Sequence, residues 1–290
     1  MTDEAATPAK DAHALCRQKL TEADRSDYYS ALFAPADRQP GVFALYAFWH
    51  EVREIIDECS EPEIAHRKLA WWRDEIQAMY AGGPRHPVAV ALSPTLLAHR
   101  LPQDSFVAII DELVRHTHMP HYSTFDERRR HAADSRGRVQ QLVALLCGQD
   151  DATTPGHALQ LGALQALAIE LRDVGADARR GRVYLADEDL ARFGVTPEDI
   201  CAGRENDGFR ALVAFEAERL LSETTRVLDL ITPVDRRRQL PLVIGANITS
   251  ALLREIRADS PRVLSHRLAL TPLRQLWIAW RSARRWRRAA

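Results

Sequence analysis

Apolar residues recur every three or four positions along most of this chain, the spacing of one face of a helix. Residues 43–58 place Leu45, Phe48, Trp49, Val52, Ile55 and Ile56 in such a row. Ser60 stands three positions before Glu63, a capping-box pattern in which each side chain satisfies the other's free backbone amide. It predicts a second helix that ends at Gly82-Gly83. Thr124 and Glu127 form the same pattern and predict a helix running to about Gly148. Thr154-Pro155 opens a helix through Asp173, and Thr196-Pro197-Glu198-Asp199 starts another. Long helices follow at about 206–230 and 239–257, and strand signals are nearly absent. The pattern predicts an all-α bundle around a central cavity.

Composition narrows the class. The chain has 290 residues, 46% hydrophobic and 27% charged, enough for a large core. No Gly/Ser/Pro-rich linker divides it and no repeat recurs, so 1–290 reads as one domain. Its opening residues carry no apolar segment of the kind a signal peptide has. No apolar run nears the roughly 20 residues that span a bilayer. Cys16, Cys59, Cys147 and Cys201 lie far apart with no CxxC pair, the usage of reduced thiols in a cytoplasmic protein. A net charge of -1 argues against nucleic acid as a partner.

That charge is uneven. From Arg254 to Ala290, ten arginines face only Glu255 and Asp259, among Trp277, Ile278, Trp280 and Trp286. Two readings stand side by side. The tail is a terminal helix packed on the core through its Trp/Leu face, or a peripheral contact with the inner face of an anionic membrane.

The segment with most chemistry is 171–185, LRDVGADARRGRVYL. Asp173 and Asp177 lie one helical turn apart on one face. Two carboxylates so placed repel unless a cation sits between them, and oxygen-only ligation suits Mg²⁺ bridging to a phosphate. Arg172, Arg179, Arg180 and Arg182 could hold a pyrophosphate. Spacing alone fits a solvated acidic face equally well.

The run RDVGADARRGRVYLADEDLARFGV resembles the second aspartate-rich motif of squalene and phytoene synthases. ALYAFWHEVREIIDE resembles that family's first aspartate-rich helix, KLAWWRDEIQAMYAGGPRHPVAVAL its next helix and loop, and SDYYSALFAPADRQPGVFALYAF its N-terminal flap. These matches span a core of about 24–280, with 1–23 as an extension and 281–290 as a basic tail. The resemblance implies the isoprenoid synthase type of helical bundle. It also implies Mg²⁺-dependent head-to-head condensation of two prenyl diphosphates, farnesyl or geranylgeranyl, with pyrophosphate release, and with NADPH if the reaction is squalene-type. By the same carry-over, Asp57, Asp173 and Asp177 are the catalytic and metal-binding residues. Ser26, Tyr46, Arg53, Arg172, Arg182 and Tyr184 are the substrate-binding ones.

The chain departs from that pattern. The family's first motif reads about Arg-x-x-Asp-Asp-x-x-Asp; the matching positions hold His50, Arg53, Glu54 and Asp57. Arg53 puts a fixed cation where a metal ligand should be. Three outcomes stay open: Glu54 and Glu58 form a shifted metal-binding pair, Arg53 grips diphosphate directly, or the face has lost catalysis. Ala176 replaces an acid, Ala166 and Ile169 replace a Gln and an Asn, His131 and Thr249 replace tyrosines, and Arg136 enters a small-residue stretch. Gln165, beside the lost Gln, is expected to turn about 100° away. Packing positions survive while chemistry positions change, the expected mark of a pseudoenzyme. The alternative function is therefore a catalytically impaired member that binds isoprenoid lipid or assists assembly of a membrane complex.

Overall fold

The computed structural model describes residues 6–23, 25–59, 61–118 and 121–288. In chain order the helices are α1 (Ala6–Ala23), α2 (Arg25–Leu32), α3 (Gln39–Glu58), α4 (Pro62–Ala81), α5 (Pro87–His99), α6 (Gln103–His116), α7 (Phe125–Ala132) and α8 (Arg138–Cys147). There follow α9 (Thr154–Ala178), α10 (Asp187–Phe193), α11 (Pro197–Cys201), α12 (Asp207–Leu230), α13 (Pro233–Arg238), α14 (Leu240–Ala258), α15 (Arg262–Ser265) and α16 (Pro272–Arg288). The described residues contain no strand, only a single bridge between Tyr122 and Ala186. The predicted all-α bundle is what forms.

Local signals place several ends. Gly82 stops α4 with φ 83°, a left-handed conformation that costs glycine nothing. Thr196 and Asp199 close a full capping box at α11. At α7 the expected box is half made: Thr124 accepts from the Glu127 amide, but Glu127 reaches the Ser123 amide instead. Ser60 lies outside the described residues; Glu61 occupies the N-cap position of α4 without a side-chain cap, and Pro62 stands in the first turn. The helix expected to end at Asp173 continues to Ala178, which keeps Asp177 helical.

Two apolar clusters make the core. One gathers α1 to α6 with α8 around Phe43, Phe48, Trp72 and Phe106. The other gathers α9, α12, α14 and α16 around Leu167, Leu171, Phe209 and Leu253. A single π-helical turn, Ala133–Gly137, joins α7 to α8 and lies against α9. The contact is close enough that a Cβ on Gly162 would stand 2.8 Å from the Arg136 carbonyl oxygen. Extra-residue turns of this kind re-aim side chains; here Ser135 and Arg136 are driven inward. Alongside runs a buried charge layer in which Arg128 holds Glu170 at 2.9 Å and Glu216 at 3.2 Å.

Helix α16 corrects one expectation. It docks through Ala279, Ser282 and Ala283, with Ile278 and Trp286 partly covered. Leu273, Leu276, Trp277 and Trp280 face outward, so the Trp/Leu face is not the packed one.

Candidate functional site

The last turns of α3 and α9 meet at one end of the bundle, which forms its mouth. Arg182, just past α9, donates to the Ile56 carbonyl oxygen of α3. Arg53 points between the two helices: its Nη2 lies 3.3 Å from Asp57 Oδ1, and Asp177, Glu170 and Tyr184 are its other charged or polar neighbours. Asp57 and Glu58 are exposed. Glu54 turns the opposite way, toward α1, where Lys19 Nζ donates to it at 2.8 Å and also pairs with Glu51. A shifted Glu54/Glu58 pair over the cavity is therefore not formed.

Across the mouth, Asp173 is saturated with arginine. Arg172 donates to both its oxygens at 2.8 and 2.6 Å, and Arg267 does so at 2.9 and 3.3 Å. Burial alone would raise the Asp173 carboxyl; these two guanidinium groups outweigh it and hold the pKa below the ordinary value. Asp177 is the contrasting case. Burial pushes it up to about 6; Arg53 opposes that rise, while Asp173, Glu170 and Asp57 add to it. It is the one aspartate of the motif whose charge the neighbours do not compensate.

Beside the mouth is a pocket of about 70 Å³, lined in part by Ile56, Cys59, His116, Thr117, Arg182 and Tyr184. His116 is held well below its ordinary pKa, first by burial and then by Arg53, His131 and Arg182. It is a neutral ring beside two fixed cations. Tyr184 lies 4.9 Å from it, ring to ring, and His131 stacks on its other side at 4.6 Å. His131 also meets the Glu112 carboxylate.

Deeper in, the bundle centre holds buried polar side chains. Tyr46 is fully buried; its hydroxyl donates to Gln140 Oε1 at 3.2 Å, and Gln140 Nε2 donates to Gln165 Oε1 at 2.8 Å. Gln165 thus faces the centre rather than turning away from it. Arg136, only 4% exposed, binds Asp27, while its guanidinium lies 5.1 Å from the Tyr46 ring and 5.8 Å from that of Trp49. The other Asp27 oxygen sits 3.0 Å from His50 Nε2. Burial pushes Asp27 up, yet Arg136 and His50 outweigh it and keep it below the carboxylate range. Ser26 precedes Asp27 on α2, half-buried, with its carbonyl oxygen taken by the Ser30 hydroxyl. Asp27, Gln140 and His116 were not singled out from the sequence; an aspartate beside the flap's Tyr28-Tyr29 pair was the one available sign.

The donor set does not suit a divalent metal. A cation bridging α3 and α9 needs free carboxylate oxygens from both, but Asp57 is paired with Arg53 and Asp173 with two arginines. Of Asp57, Asp173 and Asp177, Asp177 is the one outside an ion pair among the described residues. No group of three or more His, Cys, Asp or Glu among the described residues is disposed to hold a metal.

The model of the family described as squalene/phytoene synthase matches residues 20–274. The phytoene synthase of Arthrospira platensis is 27% identical over 276 residues, covering 90% of this chain and 89% of its own. The 15-cis-phytoene synthase of Synechocystis is 26% identical over 286 residues, covering 93% and 85%. Among solved structures, the squalene synthase of Alicyclobacillus acidocaldarius superposes with a TM-score of 0.73 at 26% identity, over 87% of this chain and 95% of that one. A ligand-bound dehydrosqualene synthase reaches 0.82 over 96% and 98%; at 22% identity that likeness speaks for the fold alone.

Proposed function

The chain belongs to the squalene/phytoene synthase family, and on that premise we propose that it binds the diphosphate of an isoprenoid without catalysing its condensation. One observation carries the reading: the Arg53 guanidinium, paired with Asp57 and directed at Asp177, stands where the family pattern has a metal-binding acid. A guanidinium can meet phosphate oxygens directly, in a fork of two donors. Arg53 and Arg182 would hold the anion beside the neutral His116 and Tyr184. The buried Arg136–Asp27 ion pair opposes the condensation step. It sets charged groups where a carbocation would need an apolar, unreactive wall. No step is assigned to Mg²⁺, because the carboxylates it would need are taken. The four unpaired thiols support a cytoplasmic setting, and the alternative of assisting a membrane complex remains a use to which such a binder could be put.

A second reading has its own support. Asp173 and Asp177 are retained, and relatives named phytoene synthase match about nine-tenths of the chain. On this reading the protein condenses farnesyl or geranylgeranyl diphosphate with Mg²⁺, and with NADPH if squalene is the product. Pyrophosphate release separates the two. The binding reading expects none above a blank from either substrate, with or without Mg²⁺ and NADPH. It also expects inorganic pyrophosphate to bind by calorimetry in metal-free buffer, and Arg53→Ala to abolish that binding. Mg²⁺-dependent release that disappears in Asp173→Ala would establish the synthase instead.

A further inference from the structure

Helix α16 has two apolar faces, and only one is used. Its inner face, with Ala279 and Ala283, packs on α2, α13 and α14. Its outer face carries Leu273, Leu276, Trp277 and Trp280 at i, i+3, i+4 and i+7, one continuous stripe. They are 80%, 40%, 52% and 48% exposed, and are four of the nine large apolar side chains exposed among the described residues. Such a concentration on one helix marks a contact surface.

The charge beside the stripe indicates what covers it. Arg281 lies over the Trp277 ring and Arg284 over the Trp280 ring, each at 5.1 Å. Arg274 is neutralised by Glu255, but among the described residues no carboxylate pairs with Arg281, Arg284 or Arg285. The helix therefore offers a convex row of Trp and Leu bordered by uncompensated positive charge. A second copy meeting this face about a two-fold axis would bring the arginines together, a like-charge contact. A nucleic acid would use the arginines but leave Leu273 and Leu276 in water. An anionic bilayer surface uses both: indole and leucine enter the headgroup boundary, and the arginines stay level with lipid phosphates. No helix of the described residues is long and apolar enough to cross a bilayer, so α16 would lie in the interface plane.

We propose that the outer face of α16 is a docking surface for anionic membrane, with Trp277 and Trp280 as anchors and Arg281 and Arg284 as the lipid-phosphate contacts. The inference is independent of whether the mouth is catalytic.

Flotation of the full chain with vesicles tests it. Vesicles of equal parts phosphatidylglycerol and phosphatidylcholine should carry the protein at least about tenfold better than phosphatidylcholine alone, and added salt should release it. The Trp277→Ala/Trp280→Ala and Arg281→Glu/Arg284→Glu pairs should each lower partition about tenfold. Leu97→Ala, which removes an apolar group exposed elsewhere, should not. All four positions are on the surface, and a circular dichroism melt confirms that each variant folds. Equal partition into both vesicle types, no flotation, or partition unchanged in both pairs overturns the proposal. Sedimentation showing a dimer that the Trp pair dissolves, without vesicle binding, overturns it in favour of a second copy.

Discussion

At the mouth of the bundle Arg53 meets Asp57 in partial contact with water; at its centre Arg136 meets Asp27 out of it. Both are arginine–aspartate pairs, yet they differ in cost. The mouth pair has side chains 27% and 44% exposed. Such a pair contributes little stability. At the centre the exposures are 5% and 9%, so neither partner can be lost without stranding a buried charge. The mouth pair can therefore be altered at small cost to stability, while the centre pair is part of the fold.

The largest expected effect breaks the centre. Asp27→Ala should lower stability by about 3–5 kcal/mol, read from the urea midpoint, because Arg136 keeps its charge in a buried setting and loses the Asp27 carboxylate. Replacing both, as Asp27→Leu with Arg136→Met, should recover most of that loss, since apolar groups of similar size avoid the desolvation cost. A loss below about 1 kcal/mol for the single change would mean that water reaches the centre and that the contrast with the mouth is false.

The next test turns the mouth back toward a metal site. Arg53→Asp would stand one turn before Asp57 and face Asp177. Mg²⁺ at a hundredfold excess over its Kd should stabilise this variant by about 2.7 kcal/mol, read from thermal melts, and leave the parent protein unmoved. Equal stabilisation of both would show that the mouth takes metal despite Arg53.

Much of the scaffold behind this contrast could be read in advance. The periodic rows of α3, α12 and α14 and the glycine stop at Gly82 are local signals, and they formed as expected. What escaped depends on long-range placement. Asp27 and Arg136 are 109 positions apart, and Asp173 and Arg267 are 94; no spacing rule links them. Gln165 faces inward against expectation because the direction of a helical side chain has meaning only once the bundle centre is located. On α16 both faces are apolar, and periodicity cannot say which one docks. Ala279 and Ala283 do so because small side chains allow close helix approach, which leaves the bulky Trp277 and Trp280 outside.

A pH series sharpens the picture of the mouth. Burial pushes Asp177 up to about 6 in the folded protein, above its ordinary value of 3.8. The folded state therefore holds this proton more tightly than the unfolded chain does. The sign follows: stability falls as pH rises from about 4 through about 6, where the folded carboxyl ionises against its surroundings. Asp177→Asn removes that loss. In metal-free buffer it should stabilise the protein by about 1–2 kcal/mol at a pH near 8 and do nothing near 4, the figure being reduced for the part of the group that water reaches. Equal effects at both ends would mean that the change acts through packing and not through charge.

The smallest effect concerns Asp173, the aspartate that looks most firmly held. Arg267 is 65% exposed, and Arg172 already gives Asp173 two hydrogen bonds. Arg267→Ala should therefore cost no more than about 0.5 kcal/mol in thermal melts. Its value lies in combination with Arg53→Asp. If arginine saturation is what keeps divalent metal out of the mouth, freeing Asp173 should tighten Mg²⁺ binding by the double variant, read as a larger melt shift at the same Mg²⁺ concentration. An unchanged shift would place the whole exclusion on Arg53.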